Sequence, residues 1–168
     1  QDTLLRALSE VKQRSIPFEL QIIGSGPLLN DLSELAKSLD IADRVHFLGA
    51  QNQDIVIELL KKSDIFILPS RSEGLPVSCM EAMAMEVFLI ATRICGIPEL
   101  VSNNKNGLLI EPEDVLGLAD AICWANQNRH TLKAMTKVAR EKVKKDFDRR
   151  KCTKNLILEI NSIYLANS

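Results

Sequence analysis

The chain has little from which to build a metal or redox site. Its two histidines, His46 and His130, and its four cysteines, Cys79, Cys95, Cys123 and Cys152, are scattered through 168 residues without a Cys-x-x-Cys pair. That spacing argues against a zinc site or a disulfide framework and fits the reduced thiols of a cytoplasmic protein. An excess of one charge is missing too: 21 basic and 22 acidic residues leave a formal net charge of -1, so nothing draws the chain as a whole to nucleic acid or anionic lipid. The longest apolar runs, Ile65-Phe66-Ile67-Leu68 and Val87-Phe88-Leu89-Ile90-Ala91, are strand length and far short of a membrane span. The opening residues read as no signal peptide, so none is expected here. Partners must therefore be argued from local sites.

What is present is a soluble globular composition, 46% apolar and 26% charged, at the length of one ordinary domain. Short apolar runs alternate with helical patterns through the first two-thirds, which is the signature of βα units and a parallel sheet. The strands expected are 18–23, 45–48, 65–68, 87–91 and 108–110. Leu28, Leu32, Leu35 and Leu39 repeat at helical spacing between the first two, and Ile55, Leu59 and Leu60 in the next crossover. Beyond Pro112 the pattern is helix alone, over 115–126, 132–147 and 151–165. The expectation is one doubly wound α/β domain over 1–168, with a βα core over 1–111 and a helical tail over 112–168.

An amphipathic helix marked by Leu4, Leu5, Leu8 and Val11 follows Gln1-Asp2-Thr3 almost at once. In a doubly wound sheet the first strand is central, so the chain reads as a piece of a larger protein with that strand truncated. Two inner strand edges should then be unpaired, at a cost in stability.

The stretch most informative about chemistry runs from Leu68 to Met85: a strand end, a loop over 69–75 and a helix starting near Pro76. Proline suits a first helical position because its missing N–H has no partner there anyway. The free N–H groups of that turn, with the helix dipole, would stabilise an anion such as a diphosphate at the carboxyl edge of the sheet. Two carboxylates flank the turn. Glu81 falls within roughly 40° of Val77 and Met85 around the helix, so it is expected on an apolar stripe, where it needs a partner. A ribose diol suits, since a carboxylate only accepts hydrogen bonds and a diol donates two. Glu73, on the loop, is free to face a bound sugar. Two glutamates eight positions apart are common in proteins, and a plain salt bridge from Glu81 to a neighbour is the bland alternative. The loop, the glycine and the helix start together favour the site.

Glu73-Gly74-Leu75-Pro76-Val77 followed by Glu81-Ala82-Met83-Ala84 resembles the paired-glutamate motif in the C-terminal donor-binding domain of retaining, family 4-like glycosyltransferases of the GT-B fold (glycosyl transferases group 1). The likeness continues through Gly24-Ser25-Gly26-Pro27, Arg44-Val45-His46-Phe47-Leu48-Gly49, 64–70, Gly96-Ile97-Pro98-Glu99-Leu100 and 106–109. It implies a Rossmann-like domain of a hexosyltransferase-type enzyme that takes a nucleotide-diphosphate sugar as donor and uses no metal or other cofactor. Glu73 would contact the transferred sugar and Glu81 the ribose hydroxyls. Backbone amides of Gly74, Leu75 and Val77 would hold sugar and phosphate, while Pro76 cannot donate. Gly24 and Gly26 would let backbone approach the diphosphate, although Gly-x-Gly serves a plain strand-to-helix turn as readily. Phe47 would lie near the base or simply be buried.

Departures from the family pattern matter. The arginine and lysine that the family sets just after the first strand are not in the sequence, so the chain alone is expected to be inactive and to rely on an N-terminal domain of the same protein. Glu86 stands where the family often has glycine; a left-handed cap there would cost about 1 kcal/mol or more. Phe88 replaces a frequent proline. Cys95 replaces a frequent glycine and is expected as a small apolar filler. His46 and His130 fall outside the matched positions and are expected to be structural or surface residues. In the tail, Lys142, Lys144, Lys145, Arg149, Arg150 and Lys151 form a basic cluster of the kind that seats a protein on an anionic membrane surface, at the inner face in a cytoplasmic setting. Glu141, Asp146 and Asp148 interrupt it, which favours a solvated helix face. The alternatives of another class are a non-catalytic nucleotide-binding or interaction domain, which need not keep both glutamates, and a nucleotide-sugar epimerase.

Overall fold

The computed structural model of the chain describes residues 1–166. The order of elements is α1 (Asp2–Gln13), β1 (Leu20–Ile23), α2 (Leu29–Ser38), a 3-10 turn (Ala42–Arg44), β2 (Val45–Gly49), α3 (Gln53–Lys62), β3 (Ile65–Leu68), α4 (Val77–Ala84), β4 (Phe88–Thr92), α5 (Ile97–Leu100), β5 (Leu108–Ile110), α6 (Val115–Gln127), α7 (Arg129–Asp146) and α8 (Arg149–Ala166). All the strands expected from the sequence form, and every pairing is parallel, β1 with β2 and β3-β4-β5 in that order. Helices cover both faces, as parallel strands require.

β4 shows why. All five of its residues are buried, and they alternate between two cores. Phe88 and Ile90 face the cluster that holds Leu4, Leu5 and Leu8 of α1 and Leu118 and Ile122 of α6. Leu89 and Ala91 face Cys79 and Met83 of α4, Leu100 of α5 and Ala139 of α7. A strand with period-2 geometry that is apolar at every position has no solvent face to offer. The helical stretch after Pro112 is thus part of both cores through α6 and α7, so residue 112 marks a change in element type without a break in packing.

β3 is as apolar as β4 but only half-buried throughout. The reason is its position. Among the described residues β3 pairs only with β4, and β1 only with β2, so the unpaired inner edges expected from the sequence are present. Between them lies a cavity of about 790 Å³, lined by Leu8, Leu20, Ile65, Ile67, Phe88 and Ile122 among others.

Candidate functional site

In a parallel sheet all strands end on the same side, so the loops leaving β1, β2, β3 and β4 gather at one edge. Gly24 and Gly26 lie on the first of these loops. Gly24 has φ +133°, a conformation that only glycine adopts without strain, and its N–H donates to the Gly49 carbonyl at 2.8 Å. A Cβ added at Gly24, Gly26 or Gly74 would meet no atom within 4 Å, so the backbone at all three borders open space.

The loop after β3 is held from beneath. Thr92, 1% exposed at the end of β4, donates its hydroxyl to the Ser70 carbonyl at 2.7 Å, with a longer contact of 3.5 Å to the Leu68 carbonyl. Ser70 Oγ donates to Glu73 Oε1 at 2.7 Å. Arg71, between them, reaches Asp2 at 2.9 Å and Glu113 at 2.5 Å, fastening the loop to the start of α1 and to the turn after β5. Gly96 seals the other side: a Cβ there would come within 2.8 Å of the Gly74 carbonyl oxygen, so only glycine allows the loop after β4 to pack this closely on the loop that carries Glu73.

Helix α4 begins at Val77, with Pro76 at the cap in an extended conformation. Pro76 is therefore one position earlier than the first-helical place expected, because its ψ of 118° keeps it out of the helix while its carbonyl accepts from Met80 N. No side chain caps this end, so the N–H groups of the first turn are left without a side-chain acceptor.

Glu81 is half-buried, but the stripe it shares is not the core-facing one. Of the fully buried residues of α4, Cys79 and Met83 lie nearly opposite Glu81 around the helix and Ala82 about 100° from it, and Val77 is 64% exposed. The sheet and α7 occupy the Cys79 side, which turns the Glu81 side toward α3. There Gln53, the first residue of α3, donates Nε2 to Glu81 Oε1 at 2.6 Å. Both carboxylates thus receive one hydrogen bond from a neutral donor, and neither forms an ion pair among the described residues. Leu75, 39% exposed, and Val77 add apolar surface beside them, while Pro76 is buried.

Cys79, the third residue of α4, has its thiol pushed up to about 12 by burial and, secondarily, by the negative charge of Glu73. It is a neutral packing residue at physiological pH. Cys95 is exposed with φ +43°, which corrects its expected role as an apolar filler: the turn before Gly96 swings it outward. Phe47 packs against the core, His46 pairs with Glu19 at 2.8 Å on the surface, and His130 is exposed. Among the described residues no His, Cys, Asp and Glu side chains cluster in a way that could hold a metal ion, and no helix is long and apolar enough to cross a membrane. Sequence reasoning missed Ser70, Thr92 and Gln53. Ser70 is three residues from Glu73 and was open to discovery as a turn contact, whereas Thr92 and Gln53 approach only through the tertiary fold.

Residues 1–142 match the family described as Glycosyl transferases group 1. The chain is 38% identical over 132 residues to N-acetyl-alpha-D-glucosaminyl L-malate synthase of Bacillus anthracis, covering 79% of this chain and 34% of that protein. It is 33% identical over 150 residues to the amylovoran biosynthesis glycosyltransferase AmsK of Erwinia amylovora, covering 86% and 37%. The chain thus spans little more than a third of the length of these relatives. Among solved structures, HepE of Anabaena in complex with UDP-glucose superposes with a TM-score of 0.87 at 22% identity, covering 96% of this chain and 45% of that one. The C-terminal domain of the group 1 glycosyl transferase LpcC of Francisella tularensis superposes with a TM-score of 0.79 at 20% identity, covering 88% and 79%.

Proposed function

This chain belongs to the glycosyl transferases group 1 family, and from that premise we propose that it is the C-terminal, donor-binding domain of a retaining hexosyltransferase whose N-terminal domain carries most of the acceptor site. The observation that carries the reading is the pair of carboxylates flanking the open end of α4, each held by a neutral donor and without a cation. A nucleotide-diphosphate sugar matches these groups in order. The ribose diol donates to Glu81, the first-turn amides of α4 receive the diphosphate, and the sugar hydroxyls meet Glu73 and the backbone around Gly74 and Leu75. Open space beside Gly24 and Gly26 lets the diphosphate approach the loop after β1. HepE, which superposes over nearly the whole chain, holds UDP-glucose, which supports a donor of this class.

In the proposed reaction the bond from the anomeric carbon to the diphosphate oxygen breaks and a bond from the same carbon to an acceptor oxygen forms on the same face of the sugar. Glu73 fixes the sugar while this happens, and the dipole of α4 shares the charge that builds on the departing diphosphate. The remaining compensation comes from cations elsewhere in the intact protein, and the transfer proceeds without a metal ion. The acceptor we propose is a glycan or a lipid-linked acceptor, in keeping with the amylovoran biosynthesis named for AmsK. The free thiols agree with a cytoplasmic setting.

The test is calorimetric titration of the full-length protein with UDP, GDP and ADP and their glucose or mannose conjugates. One base should bind, and Glu81→Ala should weaken it about tenfold, or roughly 1.4 kcal/mol. Glu73→Gln should leave binding of the free diphosphate unchanged and lower turnover by two orders of magnitude or more. Binding by none of the nucleotides returns the domain to the non-catalytic class.

A further inference from the structure

Glu73 sits on an exposed loop, yet a group that must meet one sugar in one geometry needs its side chain fixed before the donor arrives. An unrestrained glutamate divides its time among several rotamers. We infer that Ser70 is the positioning residue for Glu73, and that Thr92 holds Ser70 in turn. This rests on the reading that Glu73 meets the donor sugar.

The argument begins in the core. Thr92 is the one polar side chain in β4, buried to 1% exposure in a strand whose other residues are Phe, Leu, Ile and Ala. A buried hydroxyl stays only if it is hydrogen-bonded. Its single proton goes to the carbonyls where β3 runs out, 2.7 Å to Ser70 and 3.5 Å to Leu68. The backbone of Ser70 is therefore fixed to a rigid central strand, and Arg71 fastens the next residue on the opposite side. Ser70 then spends its own hydroxyl proton on Glu73 Oε1, one turn further along the loop. Oε2 and the other lone pair of Oε1 stay available for donors from a ligand.

The chemical type of the holder matters. An arginine or lysine in the place of Ser70 would fix the carboxylate equally well but would spend its charge. A serine fixes the direction and leaves the negative charge for the sugar, where positive charge develops at the anomeric carbon during transfer. Gln53 treats Glu81 in the same way, so both carboxylates are oriented by uncharged donors, one anchored on β4 and one on the start of α3.

The experiment uses the full-length protein and follows release of nucleoside diphosphate from UDP-glucose, GDP-mannose or ADP-glucose, with thermal unfolding as a control for folding. Ser70→Ala should lower kcat roughly three- to tenfold while KM moves less than twofold. Ser70→Thr, which keeps the hydroxyl, should restore most of the loss. Thr92→Val should lower kcat in the same sense, and Thr92→Ser should not. In a Glu73→Ala background, Ser70→Ala should have no further effect, because it acts only through that carboxylate. Two outcomes overturn the inference alone: Glu73→Gln cripples turnover while Ser70→Ala stays at the wild-type rate, or Ser70→Ala costs the same with and without Glu73. If Glu73→Gln is itself harmless, or none of the three donors is turned over, the reading of Glu73 falls and takes this inference with it.

Discussion

At the scale of single residues, the site is made of groups whose partners come from other parts of the chain. Glu81 was legible as a carboxylate on one stripe of a helix, but the pattern of apolar neighbours pointed to the core and the structure turns it toward Gln53 of α3, because the sheet and α7 claim the Cys79 side instead. The same side explains the behaviour of Cys79. Its thiol ordinarily ionises near 9 and is pushed up to about 12 here, by burial first and then by Glu73. Between these values the unfolded chain loses a proton that the folded chain keeps, so stability falls as pH rises through that window, by about 1.4 kcal/mol per pH unit for one proton. Urea unfolding of the full-length protein between pH 8 and 11 should show this slope, and Cys79→Ala should flatten it by about one proton. An unchanged slope in the variant would assign the alkaline loss to other groups.

At the scale of elements, the junction between α4 and β4 is the clearest conflict between local and tertiary preference. The helix ends at Ala84 with Met85 as its cap, and the next residue, Glu86, is left-handed at φ +59°, the conformation whose cost the family's frequent glycine avoids. Met83 and Ala82 carbonyls accept from Glu86 N and Val87 N in the turn, so the backbone gains from a conformation that a residue with a Cβ resists by about 1 kcal/mol. Glu86 recovers part of that through Arg140 of α7, 2.8 Å away, a half-exposed pair worth about 0.5 kcal/mol. Glu86→Gly should accordingly raise stability by about 0.5 kcal/mol, whereas Glu86→Ala, which keeps the strain and loses the pair, should lower it by a similar amount. A guanidinium melt of both variants reads the difference. Should alanine prove the more stable, the left-handed strain is not what limits this junction.

At the scale of the whole molecule, the helical tail is divided in its role. α7 completes the core that contains Met83, Leu89 and Leu100, with Val143 and Phe147 packed against it. On α8, Leu156, Ile157 and Leu158 are exposed. Losing the cover over several buried side chains costs about 1.5–3 kcal/mol each, against a total of 5–15 kcal/mol for a typical domain. A full-length protein terminated after Gln127 should thus fail to fold, while one terminated after Asp148 should keep a cooperative melt. Circular dichroism of the two truncations decides it, and a folded shorter form would remove α7 from the core.

Sequence by itself determined the strands and their parallel direction. A run of apolar residues of strand length, flanked by turn residues and followed by a helical repeat, has few other ways to bury itself, so the βα units were legible, as was the presence of two unpaired inner edges. The paired glutamates were legible too, since Glu73, Gly74 and Glu81 fall within nine positions of one loop and one helix. Only the tertiary structure decided which way Glu81 faces, that Gly96 must be bare to let Gly74 approach, and that Ser70, Thr92 and Gln53 hold the carboxylates. Thr92 and Gln53 stand 22 and 28 positions from the groups they bind. Periodicity describes what an element buries, whereas a hydrogen bond between elements depends on how they are stacked, and that stacking is set by the packing of all of them together.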